Sequence, residues 1–215
     1  FQGIISRQKG NLSSPDVYVE QSGVHPFFSF VAEAWKEYEI LLKKENSLDF
    51  DDLILKPVGL LKTNAEVLAH YQKKWRYIHI DEYQDTNRAQ YMLSRLLSRA
   101  HKNICVVGDH DQVIYSWRGA NIENILRFEK DYGNAKTVFL EENYRSTKTI
   151  LRAANEIIKK NKLRKEKNLF TERSGGEKLS LTLAYDEEEE SRHVAFKTQG
   201  LIKNGVPAED IAVLY

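Results

Sequence analysis

The sequence predicts an α/β protein built on a parallel sheet, and three observations support this. A β-prone run at 77–80 ends in two carboxylates, Asp81 and Glu82, and an apolar run at 104–107 ends in Gly108 and Asp109. A helical pattern at 88–100 lies between the two runs. Asp109 follows Asp81 by 28 residues, which fits a strand–helix–strand crossover between parallel strands. Both polar sets should then lie at one carboxyl edge of the sheet, where such sheets bind ligands.

The other elements follow from local patterns. Helical spacing of apolar residues predicts helices at 27–44, 64–75, 121–131 and 146–161, and another helix opens with acidic residues at 187–190. Further strands are predicted at 136–140, 179–184 and 211–215. Residues 4–24, rich in Ser, Gly and Asn, are interpreted as a loop or a poorly ordered entry. Residues 1–3 are interpreted as the remnant of a cleavable tag.

Composition excludes some classes of protein. With 215 residues and 41% hydrophobic content, the chain can bury a core as one large domain or two small ones. The 32 basic and 31 acidic residues give a net charge of +1, which does not indicate a nucleic-acid binder, although a local groove can still be basic. The single Cys105 excludes an internal disulfide framework and is predicted to be a buried thiol. There is no membrane-length apolar run and no signal peptide, so a cytoplasmic location is expected.

Three carboxylates at Asp49, Asp51 and Asp52 form the first acidic cluster. Metal binding is one interpretation. Capping of the following helix is the favoured one, because acidic residues in a first turn oppose the helix dipole.

Asp81 and Glu82 form the second acidic pair. A strand that ends in Asp-Glu suits magnesium-assisted phosphate chemistry, in which Asp holds the ion and Glu deprotonates an attacking water. By itself the pair fits a turn followed by a helix cap equally well.

Three long motifs favour the chemical interpretation. They are Asp81-Glu82-Tyr83-Gln84-Asp85-Thr86-Asn87, then Gly108-Asp109-x-Asp111-Gln112-x-Ile114-Tyr115-x-Trp117-Arg118-Gly119-Ala120, then Leu140-Glu141-x-Asn143-Tyr144-Arg145-Ser146-Thr147. In order and spacing they resemble motifs II, III and IV of the UvrD/PcrA/Rep-type superfamily 1 DNA helicases. The resemblance is good over about residues 46–161 and looser at the ends. Val113 departs from it, since a Ser is usual there, which puts one hydroxyl contact in doubt.

The resemblance implies a domain organisation. Residues 4–48 would be the C-terminal part of the helical accessory domain 1B, and 49–141 the C-terminal part of a parallel-sheet, RecA-like motor domain 1A. Residues 142–215 would begin a second RecA-like domain, 2A.

The resemblance also implies roles for residues of the first motor domain, with ATP and Mg²⁺ as cofactors. Asp81 would coordinate magnesium, Glu82 would activate the water that attacks the γ-phosphate, and Gln112 would contact that phosphate or water. A neutral amide suits this task because it donates and accepts at once. The alternative is that the Gln112 amide only forms hydrogen bonds with the backbone of a turn. Asp109 and Asp111 are expected to hold this loop in place.

Tyr115, Trp117 and Arg118 would contact single-stranded DNA. Base stacking on aromatic rings holds a strand without reading its sequence. The alternative is that the two aromatics belong to the core. The motif favours DNA for Trp117 and leaves Tyr115 open.

From the second motor domain, Tyr144 would stack on adenine and Arg145 would reach the γ-phosphate. The planar guanidinium donates to several phosphate oxygens and stays charged, although an Arg that pairs with a surface carboxylate is the alternative. A basic run at 159–167 could contact DNA phosphates or be a solvated helix end.

No Gly-x-x-x-x-Gly-Lys-Ser/Thr phosphate loop occurs in the sequence, and the later family motifs are missing as well. The expectation is an internal fragment of an ATP-dependent 3′–5′ DNA helicase, active in DNA repair, whose isolated fragment neither hydrolyses ATP nor unwinds DNA. Two alternatives stay open: the motor subunit of a helicase–nuclease, and a motor-dead nucleic-acid-binding module.

Overall fold

The computed structural model describes residues 1–23, 25–161 and 167–215, without the side chains of Ser22 and Arg118. The DNA contact predicted for Arg118 and the middle of the basic run therefore lie outside the described part. The chain divides into two compact units. The first comprises Phe1–Leu140 and the described residues of Ile158–Lys167, and the second comprises Glu141–Ile157 and Asn168–Tyr215. The assignment to accessory and motor domains stays a prediction.

The first unit is mainly helical around a small sheet. Its elements in chain order are α1 (Gln2–Gly10), α2 (Pro15–Ser22), α3 (Pro26–Lys44), α4 (Asp52–Thr63), α5 (Ala65–Lys74), β1 (Ile78–Ile80), α6 (Arg88–Ser98), β2 (Ile104–Val106), α7 (Glu123–Leu126) and α8 (Phe128–Asp131). The helices predicted at 27–44, 64–75 and 88–100 are thus present. The helix predicted at 121–131 is two short helices, α7 and α8.

The sheet confirms the predicted crossover. β1 pairs with β2 in parallel, with Ile78 opposite Ile104 and Ile80 opposite Val106. α6 connects the two strands and starts at a capping box, in which the Asn87 and Gln90 side chains each accept a hydrogen bond from the other's backbone N–H. α4 and α1 pack against α6. The carboxyl ends of β1 and β2 therefore lie side by side.

The prediction of a loop at 4–24 was wrong, because α1 and α2 occupy most of this segment. Ser14 caps α2 by accepting a hydrogen bond from the Val17 N–H, and Pro15 stands at the first helical position. Ser before Pro is a helix-start signal that the polar composition obscured. The two helices are held by a hydrophobic core that consists of Ile5, Tyr18, Val31, Ala32 and Trp35.

Residues 1–3 are continuous with this region. Gln2 and Gly3 begin α1, and the Phe1 ring centroid lies 5.4 Å from that of Phe30. The interpretation of these residues as a tag remnant stays a prediction.

A buried lysine of the first unit forms ion pairs with two residues of the first acidic cluster, Asp49 and Asp52. The Lys9 side chain is only 1% exposed, and its Nζ lies 2.6 Å from Glu39 Oε1, 2.7 Å from Asp49 Oδ2 and 3.2 Å from Asp52 Oδ1. We call these four residues the Lys9 cluster. Asp49 Oδ1 also accepts from the Asp52 N–H at 2.8 Å, whereas Asp51 makes no capping bond through its side chain. The capping interpretation is confirmed for Asp49 and wrong for Asp51.

The prediction of a buried Cys105 was wrong, since its side chain is exposed. The register places it opposite His79, which is also exposed, while the neighbouring strand residues on the other face are half-buried. An apolar run does not specify which face of a strand is covered, because side chains alternate.

None of the strands predicted at 136–140, 179–184 and 211–215 is formed in the described part of the chain. Val138 and Leu140 are exposed, at 67% and 78%. An extended segment becomes a strand only when a neighbouring strand pairs with its backbone, and β propensity alone supplies no partner.

The second unit contains α9 (Lys148–Ile158) and α10 (Glu187–Lys203), so the helices predicted at 146–161 and from Glu187 are present. Asp186 caps α10 by accepting from the Glu189 N–H, and four glutamates occupy its first turn. Glu142 and Phe170 form an isolated parallel bridge. Across the described residues of both units, no helix combines the length and apolarity needed to cross a membrane.

Candidate functional site

Asp81 and Glu82 lie directly after β1, and both side chains are exposed. Asp81 Oδ1 accepts a hydrogen bond from the Glu82 N–H at 2.9 Å. The Glu82 backbone adopts φ 49° and ψ 42°, in the left-handed region. This conformation is uncommon for a residue with a side chain, and such conformations cluster at active sites and ligand-binding turns. The turn thus directs two adjacent carboxylates toward solvent at the end of the strand.

The buried Tyr83 anchors this turn. Its side chain is fully buried, and its ring contacts Phe128 of α8 edge-on at 5.8 Å between centroids. Its N–H donates to the Val107 carbonyl at 2.9 Å, and the Val107 N–H donates to the Ile80 carbonyl at 2.8 Å. Burial raises the pKa of the Tyr83 hydroxyl, so this group is neutral. The hydrogen bonds between the parallel strands therefore continue past the ends of β1 and β2. They connect the acidic turn to the loop after β2.

The loop after β2 is organised by Asp109. Its Oδ1 accepts from the Asp111 N–H at 2.9 Å, and its Oδ2 accepts from Gln112 Nε2 at 2.8 Å. Lys167 forms an ion pair with the same carboxylate. Burial alone would raise the pKa of Asp109, but the hydrogen bonds from Lys167 and Gln112 outweigh it and hold the pKa below its usual range. The prediction that Asp109 holds this loop in place is confirmed, and the exposed Gln112 is oriented by it.

Gln84 connects the two strand ends, a role that the sequence did not indicate. The side chain is 1% exposed, with Nε2 donating to Glu82 Oε2 at 2.8 Å and Oε1 accepting from the Asp109 N–H at 3.0 Å. Only its position inside the first motif pointed to importance, since a glutamine between polar residues carries no signal of burial.

Tyr115 and Trp117 are exposed, at 40% and 61%, so they are not core residues. Their ring centroids are 6.4 Å apart and the rings are inclined by 51°. The segment that follows them is tied to the first motif, because the Thr86 carbonyl accepts from the Asn121 N–H at 3.1 Å and from Asn124 Nδ2 at 2.9 Å. Two aromatic faces are thus presented to solvent on a loop fixed to the acidic turn.

Tyr144 and Arg145 belong to the second unit, whereas Asp81, Glu82 and Gln112 belong to the first. Tyr144 is 76% exposed and its hydroxyl donates to Glu142 Oε2 at 2.6 Å, which raises the Tyr144 pKa. Asn143 Oδ1 accepts from the N–H groups of Arg145 and Ser146, at 3.0 and 2.7 Å. This turn displays an aromatic ring beside an exposed guanidinium.

The metal chemistry of the first unit is limited. Among the described residues, no group of three or more His, Cys, Asp or Glu side chains is arranged to hold a metal ion. Mg²⁺ commonly binds to one or two carboxylates and completes its coordination with water and phosphate oxygens. An exposed Asp81 beside a possible base fits that mode of binding.

Comparison with known proteins agrees with the motifs. A family model described as UvrD/REP helicase N-terminal domain matches residues 1–133, and one described as UvrD-like helicase C-terminal domain matches residues 138–215. The chain is 50% identical over 216 aligned residues to an ATP-dependent DNA helicase PcrA of Staphylococcus aureus, and 49% identical to that of Staphylococcus epidermidis. Each alignment covers 100% of this chain and 29% of the relative, so the chain spans less than a third of the length of these proteins.

Proposed function

The chain belongs to the UvrD/REP helicase family, and from this membership we propose that it is the central part of an ATP-dependent DNA helicase. The motor would hydrolyse ATP to move along single-stranded DNA in the 3′–5′ direction and separate the duplex, in the service of DNA repair. The proposal is supported by relatives that are named ATP-dependent DNA helicases and by the arrangement of the motifs. The observation that carries it is the pair of parallel strand ends, one bearing Asp81 and Glu82 and the other the loop that orients Gln112.

In this proposal Asp81 binds Mg²⁺, which would neutralise charge on the phosphates of ATP. Glu82 accepts a proton from the attacking water, and its exposed carboxylate is accessible to that water. Gln112 donates to a phosphate oxygen or to that water. Its amide is held by Asp109 but remains exposed, so it is oriented and accessible at once.

The second unit carries two further residues for which we propose contacts with the nucleotide. Tyr144 offers an exposed ring for stacking on adenine, and Arg145 offers a permanent positive charge for the γ-phosphate. Such an arginine stabilises the charge that develops during phosphoryl transfer.

DNA would be held by the aromatic loop. Tyr115 and Trp117 provide apolar faces on which bases stack whatever their sequence. Because Thr86 joins this loop to the motif that carries Glu82, a change at the nucleotide could be passed to the DNA contacts through a short path.

The experiment is ATP turnover with Mg²⁺, with and without single-stranded DNA, by the longer protein that contains this segment and by the 215-residue chain. We expect DNA-stimulated turnover by the longer protein and none by the chain alone, since it contains no phosphate-binding loop. A longer protein that binds DNA but hydrolyses no ATP would refute the proposal and favour a motor-dead binding module.

A further inference from the structure

We propose that Gln84 is a positioning residue for ATP hydrolysis, holding the Glu82 carboxylate in place and joining it to the loop of Gln112. This inference rests on the proposed function, because it gives Gln84 a task in the reaction assigned to Glu82. It concerns only residues of the first unit.

The orientation of the Gln84 amide is fixed by its partners. The Asp109 N–H can only donate, so the amide oxygen faces it at 3.0 Å. A carboxylate can only accept, so the amide nitrogen faces Glu82 Oε2 at 2.8 Å and Asp85 Oδ2 at 3.3 Å. A flipped amide would lose these bonds and set like charges against each other. The Gln84 amide therefore has one orientation, with its oxygen toward the Asp109 N–H and its nitrogen toward Glu82.

The space around the amide is equally restrictive. A Cβ added at Gly108 would lie 2.6 Å from Gln84 Oε1, 3.0 Å from Ile125 Cδ1 and 3.2 Å from the Tyr83 backbone nitrogen. No such contact can be accommodated without a shift. The glycine before Asp109 thus leaves room for the Gln84 side chain, which is 1% exposed. Burial and close packing hold the amide rigidly.

The hydrogen bonds continue beyond Gln84. Asp109 donates its backbone N–H to Gln84. Its side-chain Oδ2 accepts a hydrogen bond from Gln112 Nε2 at 2.8 Å. A path of three hydrogen bonds therefore runs from Glu82 through Gln84 and Asp109 to Gln112. It links Glu82, the proposed base, to Gln112, the proposed phosphate contact, through direct hydrogen bonds between protein groups.

This geometry has a consequence for the position of the Glu82 carboxylate. In Gln84→Glu the hydrogen-bond donor is replaced by a second carboxylate at the same place, which should repel the Glu82 carboxylate and displace it. Gln84→Met removes the hydrogen bond without adding charge, so its effect on kcat should be smaller.

The test uses the longer protein, with ATP, Mg²⁺ and single-stranded DNA, and measures kcat, the KM for ATP and the melting temperature. We expect Gln84→Glu, Gln84→Met and Gly108→Ala to lower kcat by about 10- to 100-fold, because a misplaced catalytic group is costly, with KM little changed. Gln72→Met is the matched control. Gln72 also donates to one half-buried partner, the Leu96 carbonyl at 2.7 Å, but lies on α5, away from the strand ends.

The outcomes separate the two proposals. If the wild-type protein has no turnover, or Glu82→Gln keeps it, the proposed function fails and this inference fails with it. If Glu82→Gln abolishes turnover while the Gln84 variants behave like Gln72→Met, only the positioning role of Gln84 is refuted. A loss of kcat that merely follows a lower melting temperature, with equal losses for Gln84→Glu and Gln84→Met, would also refute it.

Discussion

The two acidic regions of the first unit look alike in the sequence and differ in the fold. In the Lys9 cluster, carboxylates surround a buried ammonium, and Tyr38 donates a further hydrogen bond to Asp49 at 3.0 Å. At the end of β1, Asp81 and Glu82 are exposed and receive hydrogen bonds only from groups of their own turn among the described contacts. In the first region the Lys9 ammonium already occupies the place among the carboxylates that a metal ion would take. The second keeps its charge available for one.

The pKa values within the Lys9 cluster show the effect of this ion pairing. Burial alone would lower the pKa of Lys9, but hydrogen bonds to Asp49 and Glu39 outweigh burial and raise it. Burial alone would raise the pKa of Glu39 and Asp49, and Lys9 outweighs it in turn, so both values are lowered. Acidic residues close in sequence therefore serve stability when a cation is folded among them, and are free for chemistry when none is.

The largest effect is expected at the exposed pair. Glu82→Gln should lower ATP turnover of the longer protein by about 10²- to 10⁴-fold, because the amide cannot accept the proton of the attacking water. Steady-state kinetics would measure this, with melting temperature as the check that the fold is intact. Turnover within a few-fold of wild type would mean that the exposed pair is not the chemical one.

The next effect is expected at the buried cation. Lys9→Met should lower the free energy of unfolding by about 3 kcal/mol or more, since it removes the buried cation that pairs with Asp49 and Asp52 in a desolvated place. Chemical denaturation would measure it. The matched control is Lys36→Met, because Lys36 pairs with Asp16 at 2.6 Å but at the surface, where such a pair contributes about 0–1 kcal/mol. Equal losses of unfolding free energy in the two variants would show that the buried ion pairs stabilise the fold no more than the exposed one.

A smaller effect is expected at the aromatic loop. Trp117→Ala should weaken binding of single-stranded DNA by about 1–3 kcal/mol through the loss of one stacked base. Fluorescence anisotropy with a labelled oligonucleotide would measure the affinity. Trp75→Ala is the control. Trp75 directly follows α5 and is also exposed, at 44%, but its ring packs against the ring of Tyr71. If both variants bind DNA equally well, the aromatic loop is not the DNA contact.

The pH dependence of stability should come from the buried cluster. The lowered pKa values of Glu39 and Asp49 stabilise the fold above their usual range, and this contribution is lost as pH falls through the lowered values. Lys9 contributes fully below its ordinary value of 10.5 and loses its contribution only as pH rises through its raised pKa. Asp51 opposes the trend in acid, because burial raises its pKa and the Ser6 hydrogen bond offsets this only in part.

Denaturation between about pH 3 and 6 should therefore show stability falling with acid in the wild type and less steeply in Lys9→Met. Parallel curves for the two proteins would assign the acid sensitivity to other groups.

The smallest effect on stability is expected at Asp81. Asp81→Asn should change the free energy of unfolding by no more than about 0.5 kcal/mol. Among the described residues, the exposed side chain accepts only from the next residue's N–H, and an amide oxygen can do the same. Its turnover with Mg²⁺ should nevertheless fall. A large loss of stability would place Asp81 with the Lys9 cluster as a structural group.

The sequence predicted the helices best where a cap and a periodic apolar face coincide. α3 and α6 matched closely, and α6 carries the capping box of Asn87 and Gln90. It failed for α2, where Ser14 and Pro15 signalled a start within a polar composition. It also failed for the strand at 136–140, because strand formation depends on a distant partner rather than on the residues themselves.

The sequence by itself determined the family, the order of the motifs and the pairing of β1 with β2, because these depend on local patterns and on the length of one crossover. Only the tertiary structure decided which carboxylates are paired with a buried cation. Lys9 lies 40 residues before Asp49, and nothing near either residue announces the other. The same holds for Gln84, whose partner Asp109 is 25 residues away. Burial and hydrogen bonding between distant residues are properties of packing, which local sequence does not encode.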